Sequence, residues 1–185
     1  MSDKPIPPKP GPGARKARLA EILRVDHAGE LAAVQIYRGQ RAVLGHTPGR
    51  IAHQLEEMEA QEAVHLARFD QLLTERRVRP TALAPVWRLA GFGLGAVTAL
   101  MGEKAAHACT EAVEDVIEQH YAGQVEELAE RDPELAAELA SFREEELAHR
   151  DLAVEEGARE APAYGLLSAV IRGGCRAAIK ISEKV

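Results

Sequence analysis

Glu62-Ala-Val-His65 and Glu146-Leu-Ala-His149 are the two stretches on which this chain's fold is read. Of its seven histidines, only these two have an acid three residues before them. On a helix, positions three apart lie on one face, one turn from each other, so a carboxylate and an imidazole placed this way can close on one cation. Two such pairs on facing helices can hold two cations. The copies stand 84 positions apart, 62 to 146 and 65 to 149. The same shift carries Glu30 onto Glu114, Tyr37 onto Tyr121, Gly39 onto Gly123, Gln40 onto Gln124, Leu44 onto Leu128 and Leu55 onto Leu139. Each half therefore reads Glu, then Glu-x-x-His beginning 32 positions later. This internal repeat predicts two similar helical hairpins, too long and too few in copies for a solenoid.

Composition agrees with a helical reading. The 185 residues suffice for one domain with its own core. Apolar residues make up 46% and aromatic residues only 4%, with Ala, Glu and Leu dominant and β-branched residues sparse. A net charge of −6 argues against a nucleic-acid partner. Cys109 and Cys175 lack metal or redox spacing and read as reduced core thiols in a reducing compartment. Residues 1–16 open with five prolines and no apolar run, and read as a disordered tail ahead of a single domain over 17–185. No stretch reaches the roughly 18–20 uninterrupted apolar residues of a membrane span.

Taken in order, helix one is expected from near Ala17 to Leu44, with Leu23, Glu30, Val34, Tyr37 and Leu44 on its inner stripe. Helix two is expected from Pro48, capped by Thr47, to about Val78. Its seam is Ile51, Leu55, Met58, Glu62, His65, Phe69 and Leu72. Glu62 and His65 sit mid-seam among apolar residues, the wrong place for a solvated pair and the right place for ligands. Ala82 to Met101 is the most apolar stretch. Its Gly91-Phe-Gly93-Leu-Gly95 follows no strand, so it is no nucleotide fingerprint. Two readings stand for it: a crossover packed closely through its glycines, or a surface that dips into a membrane or receives a lipid. Helix three begins between Gly95 and Glu103 and ends near Arg131, along His107, Glu114, Ile117, Tyr121, Val125 and Leu128. Helix four runs from Pro133, capped by Asp132, to about Gly157, along Leu135, Leu139, Phe142, Glu146, His149 and Ala153. A last helix, Ala163 to about Ser182, carries Leu167, Val170, Ile171 and Ile179 on one side. Arg172, Arg176, Lys180 and Lys184 recur every four residues on another, a pattern that suits either an anionic membrane surface or a bundle cap with its cations in water.

Glu30, Glu62, His65, Glu114, Glu146 and His149 are the candidate metal ligands. Four carboxylates and two imidazoles without a thiolate suit Fe or Mn better than structural Zn. Four negative charges match two divalent cations, so the buried acids become tolerable once metal binds. One Glu from each of two helices and Glu-x-x-His from each of the other two is the ferritin-like di-iron pattern. The expected fold is therefore all-α, a ferritin-like four-helix bundle of two repeated hairpins, with the apolar and amphipathic segments as additional membrane-contacting helices. Tyr37 and Tyr121 share faces with Glu30 and Glu114, and either bond to ligand carboxylates or fill the core. Asp26 is a candidate to orient a ligand imidazole. His27 and His120 are left out of the ligand set.

With these residues in hand, the chain resembles the demethoxyubiquinone hydroxylase family, di-iron monooxygenases of ubiquinone biosynthesis. The motifs that carry the resemblance are Arg24-Val-Asp-His-Ala-Gly-Glu30 with Ile36-Tyr37 and Gly39-Gln40, Glu59-Ala-Gln-Glu62-Ala-Val-His65, Ala108-Cys-Thr-Glu-Ala-Val-Glu114 with His120-Tyr121, Phe142-Arg-Glu-Glu-Glu146-Leu-Ala-His149-Arg-Asp151, and Ala161-Pro-Ala-Tyr164. They span nearly everything from Leu19 onward, and all six ligand positions match. The resemblance implies two iron ions per chain and hydroxylation of a demethoxyubiquinol ring with O2, with electrons from NADH or the reduced quinone. It also implies a polyprenyl quinol substrate and a peripheral position on a membrane, the cytoplasmic face of the cell membrane in a bacterium. Trp87 and Phe92 then mark the substrate entrance, and a homo-oligomer or a quinone-biosynthesis complex is a further implied assembly. An iron-storage or peroxide-scavenging protein would use the same ligands but needs a polar exterior, which the apolar crossover opposes. A metal-stabilised adaptor without catalysis is the remaining alternative.

Overall fold

A computed structural model describes residues 12–185, and among them all regular structure is helical. The elements are α1 (Pro12–Leu44), α2 (Ile51–Arg76), α3 (Ala84–Leu100), α4 (Glu103–Leu128), α5 (Pro133–Glu155), a 3-10 turn (Ala158–Glu160) and α6 (Tyr164–Ser182). Helix α1 starts at Pro12, ahead of the expected Ala17, because a proline in the first turn sacrifices no intrahelical hydrogen bond. The expected tail lies, for residues 1–11, outside the described residues.

Glycine geometry decides two of the helix starts. Gly49 has φ 131°, which no right-handed helix accommodates, so α2 begins at Ile51 and not at Pro48. Thr47 therefore does not cap it; Arg50 takes the cap position without a side-chain bond. Gly102, at φ 109°, separates α3 from α4. The second hairpin follows expectation, since the Asp132 carboxylate accepts a hydrogen bond from the Leu135 amide at 3.3 Å with Pro133 opening α5.

The hairpins α1–α2 and α4–α5 form the four-helix bundle, while α3 lies along α1 and α6 lies along α4 and α1. The α1–α3 approach depends on missing side chains. A Cβ on Gly95 would fall 2.0 Å from the Ile36 carbonyl oxygen, and one on Gly39 would fall 2.2 Å from that of Phe92. Close packing of the crossover through glycine is thus observed, and the crossover is itself a helix.

The seams of α2 and α5 are buried at every expected position. They sort into two apolar plugs. One gathers Leu23, Phe69, Leu72, Leu135, Leu139 and Phe142 around Tyr121. The other gathers Leu44, Ile51, Leu55 and Met58 around Tyr37. The candidate ligands lie between them along each of the four bundle helices α1, α2, α4 and α5. On α6, Ile171 is buried and Leu167 and Ile179 half-buried, while Val170 on the same apolar side is 64% exposed. The inward line of α6 advances by fours from Leu167 through Ile171 and Cys175, which turns Val170 outward beside exposed Leu166. Arg172 leaves the basic stripe to pair with Asp115 at 2.9 Å, whereas Arg176, Lys180 and Lys184 stay exposed. Both cysteines are free thiols, Cys109 buried and Cys175 half-buried.

Candidate metal centre

Four helices each place an acid at the same level of the bundle: Glu30 from α1, Glu62 from α2, Glu114 from α4 and Glu146 from α5. All four are at most 1% exposed, with His65 and His149 beside them. Ligand-competent atoms converge into two overlapping quartets. Glu30, Glu62, His65 and Glu146 form one; Glu62, Glu114, Glu146 and His149 form the other. Within each quartet the candidate atoms lie within 4.8 Å of one another. Glu62 and Glu146 belong to both, so each can bridge two ions.

The Nδ1 atoms of the imidazoles face inward. That of His65 stands 3.3 Å from Glu146 and 3.6 Å from Glu30, and that of His149 stands 3.1 Å from Glu62. Whether metal fits is tested by which polar atoms lack partners. Glu30 Oε2, Glu114 Oε2, both oxygens of Glu62, both of Glu146 and the two Nδ1 atoms are buried without a hydrogen bond among the described residues. Buried polar atoms are nearly always satisfied, so eight orphans pointing at one volume are a donor set awaiting cations. Oxygen and imidazole donors at this charge fit divalent iron or manganese.

The second oxygens of the outer acids are held from across the bundle. Tyr37 Oη donates to Glu114 Oε1 at 2.6 Å, and Tyr121 Oη donates to Glu30 Oε1. Both tyrosines thus bond to candidate ligands and fill the core. Burial and the neighbouring carboxylates push both phenols well above their ordinary pKa, which keeps them protonated donors. These crossed bonds make α1 and α4 antiparallel, 37 opposite 114 and 121 opposite 30, related by the same two-fold pattern as the sequence repeat.

Electrostatics of the cluster are severe. Burial, then the charges of Glu146 and the other acids, push Glu62 and Glu114 well above the usual carboxylate range. Burial first also raises Glu30. Glu146 goes the other way: burial opposes its ionisation, but His149 and His65 beside it hold it down to about 2. Burial works against a charge on His65 too, yet Glu146 and Glu30 raise it to about 11. Two divalent cations would neutralise the four carboxylates and remove this repulsion.

Asp26 does not orient a ligand imidazole. Its Oδ1 accepts from Gln124 Nε2 at 2.7 Å and faces His120 at 3.5 Å. The imidazole partners are instead Glu145 and Gln61: His65 Nε2 meets Glu145 Oε2 at 3.1 Å, and His149 Nε2 meets Gln61 Oε1 at 2.6 Å. Sequence reasoning missed both. The signal was present, since each immediately precedes a candidate ligand glutamate and the two are 84 positions apart, 61 and 145. His27 pairs with Asp70 at 3.0 Å, away from the cluster.

An apolar cavity of about 90 Å³ opens between α1, α3, α4 and α6, lined by Ala32, Ile36, Trp87, Val113, Cys175 and Ala178 among others. A smaller hollow of about 30 Å³ shares Val25, Gly29, Ile117 and Ile179 with it and is also lined by Glu30 and Tyr121. Trp87 therefore lines the larger cavity, which shares a wall with the hollow beside Glu30, while Phe92 lies outside that lining and is partly exposed on α3. Val86, Leu89, Val97 and Leu100 of α3 and Leu166 and Val170 of α6 are exposed apolar side chains. Among the described residues no helix is long and apolar enough to cross a membrane.

Two repeated hairpins around paired Glu and Glu-x-x-His ligands define a ferritin-like bundle with a site suited to two metal ions. Residues 17–182 match the family model described as "Ubiquinone biosynthesis protein COQ7", and the chain belongs to that family. It is 51% identical over 176 residues to the 3-demethoxyubiquinol 3-hydroxylase of Rhodospirillum rubrum, covering 95% of this chain and 82% of that protein. It is 47% identical over 174 residues to the human mitochondrial NADPH-dependent 3-demethoxyubiquinone 3-hydroxylase, covering 92% and 79%. The yeast mitochondrial 5-demethoxyubiquinone hydroxylase is 38% identical over 187 residues, covering 93% and 80%.

Proposed function

We propose that this chain is an O2-dependent di-iron monooxygenase that hydroxylates the ring of a demethoxyubiquinol in ubiquinone biosynthesis, its residues 17–185 acting as one catalytic domain. The observation that carries the reading is the pair of overlapping quartets with eight buried, unpartnered donor atoms. The names borne by the relatives point to the same reaction.

Glu30, Glu62, His65 and Glu146 hold one iron; Glu62, Glu114, Glu146 and His149 hold the other. Bound there, the irons supply the redox chemistry that activates O2, which protein side chains alone do not provide. The chain's own residues do the rest. Tyr37 and Tyr121 fix the outer oxygens of Glu114 and Glu30, leaving the inner oxygens free for metal. The two apolar plugs exclude water from the cluster along the bundle axis. The cavity past Trp87 admits an apolar ring toward Glu30, and its nearly all-apolar wall suits a quinol carrying a polyprenyl tail.

Such a substrate resides in a bilayer. A peripheral position, with the exposed apolar side chains of α3 and α6 in the lipid and Arg176, Lys180 and Lys184 at anionic headgroups, brings the cavity mouth to it. In a bacterium this is the cytoplasmic face of the cell membrane. Electrons come from NADH or from the reduced quinone. The test is quinone profiling after inactivation of the gene, with iron analysis of the purified protein. Accumulated demethoxyubiquinone and two irons per chain are expected. An unchanged quinone pool overturns the reading, and a large excess of iron per chain would favour storage.

A further inference from the structure

The repeat that pairs the candidate ligands also pairs two residues behind them, and there the symmetry breaks. An imidazole that offers Nδ1 to a metal must carry its proton on Nε2. That proton has an acceptor on each side of the centre. His65 donates to the Glu145 carboxylate from the opposite hairpin, and His149 donates to the Gln61 carbonyl from the opposite hairpin. Glu145 and Gln61 occupy the same repeat position, yet one acceptor carries a full negative charge and the other carries none. A carboxylate behind a ligating imidazole makes it a more basic donor than an amide does, and such partners change metal affinity by roughly 10–100-fold.

We propose that Glu145 and Gln61 are positioning residues that make the two metal positions unequal, so that the half built on His65 fills first and tightest and the half built on His149 fills second. This rests on the dinuclear reading above. Each position has three candidate carboxylates and one imidazole, so the ligands themselves give neither half an advantage. Repulsion between two cations sharing Glu62 and Glu146 separates the binding steps in any case. The order in which they fill is what the outer partners set.

The experiment is anaerobic titration of the metal-free full chain with cobalt(II), followed by its visible d–d absorption, which reports coordination independently of turnover. Two half-site variants assign the steps. In the native background His149→Ala should keep the tight first step, and His65→Ala should weaken it about tenfold. Glu145→Gln should weaken the first step about tenfold, and Gln61→Glu should tighten the second by a similar factor. The double exchange Gln61→Glu with Glu145→Gln conserves charge and composition. It should reverse which histidine variant retains the tight step, an outcome no general loss of structure produces. Gln61 and Glu145 are exposed, and helix content of each metal-free variant is checked first. An unchanged filling order in the double exchange overturns the proposal while leaving the dinuclear reading intact. Failure of the native chain to bind cobalt at all overturns both.

Discussion

Gly39 and Gly123 are equivalent in the repeat, but only one is covered. A Cβ at Gly39 would lie 2.2 Å from the Phe92 carbonyl oxygen and 2.7 Å from the Ala96 amide nitrogen; a Cβ at Gly123 meets nothing within 4 Å. The same substitution should therefore have opposite signs at the two positions. At Gly123, alanine removes the backbone entropy cost of a helical glycine and should stabilise by about 0.5–1 kcal/mol. At Gly39 that gain competes with overpacking. Both opposing atoms are backbone, so no side chain can swing away, and α1 and α3 must part until the contact relaxes from 2.2 Å to an ordinary distance beyond 3.4 Å. Overpacking costs about 1–3 kcal/mol, and against unyielding backbone the upper part of that range, about 2–3 kcal/mol, applies, leaving a net loss of about 1–2.5 kcal/mol. For a chain of this size Tm moves by about 2–4 °C per kcal/mol, so Gly39→Ala should melt about 2–10 °C lower and Gly123→Ala about 1–4 °C higher. Thermal melts followed by circular dichroism at fixed pH and metal content read the difference. Metal stoichiometry should be the same in both, since α3 contributes no candidate ligand. A Gly39→Ala protein that melts at or above the native value refutes the claim that these two helices touch through bare backbone.

Three further outcomes are expected. Tyr121→Phe, which leaves Glu30 Oε1 without its donor, should weaken metal binding about tenfold in a competition titration, with Tyr37→Phe acting alike on Glu114. Metal-free protein should lose stability as pH rises. Glu30, Glu62 and Glu114 have folded pKa values above the ordinary 4.5, so their contribution is complete below 4.5 and drains as pH climbs through the folded values. His65 acts with the same sign between 6.5 and about 11, whereas Glu146 opposes only as pH falls from 4.5 toward about 2. Saturating manganese(II) should flatten or reverse this slope, because binding requires deprotonated ligands; parallel melting curves with and without metal would exclude the cluster as its cause. Leu89→Asp with Leu100→Asp, at positions 76% and 74% exposed, should each remove about 1.5–3 kcal/mol of lipid burial and lower sedimentation with anionic vesicles at least about tenfold, with metal content unchanged. Undiminished vesicle binding would place the membrane contact elsewhere.

How much of this was legible beforehand depends on the range of the interaction concerned. The α2 and α5 seams were readable residue by residue because helical periodicity is local and every apolar position on one face has the same destination. The six candidate ligands were readable because a buried acid on such a seam demands a partner, and the repeat says where the partner lies. The start of α2 was misplaced because Thr47-Pro48 is a sound cap by local rules, while the left-handed φ of Gly49 is chosen by the hairpin turn. Asp26 is only a candidate partner for a ligand imidazole on sequence, because its direction depends on packing. The helix in fact rotates it toward α4, where Gln124 and His120 receive it. Glu145 is the middle acid in a run of three, and its side chain is 45% exposed, so nothing local marks it. Only the antiparallel crossing of α2 and α5, a tertiary fact, aims it at His65.

The repeat and its exceptions divide the labour of the molecule. The acids, the Glu-x-x-His pairs, the crossed tyrosines and the plugs at either end are all duplicated around the candidate metal site. The third helices of the two halves, α3 and α6, which the 84-residue shift also brings together with Val86 on Val170 and Arg88 on Arg172, lie against α1 and α4, with the apolar cavity between them. On the opposite flank, α2 and α5 present Gln61, Glu145 and the Arg68–Glu138 ion pair, a polar wall that touches the imidazoles from behind. The centre thus has one greasy side and one polar side. On the proposed reaction a water-insoluble ring would approach Glu30 from the first, while Glu145 and Gln61 on the second hold the histidines from behind.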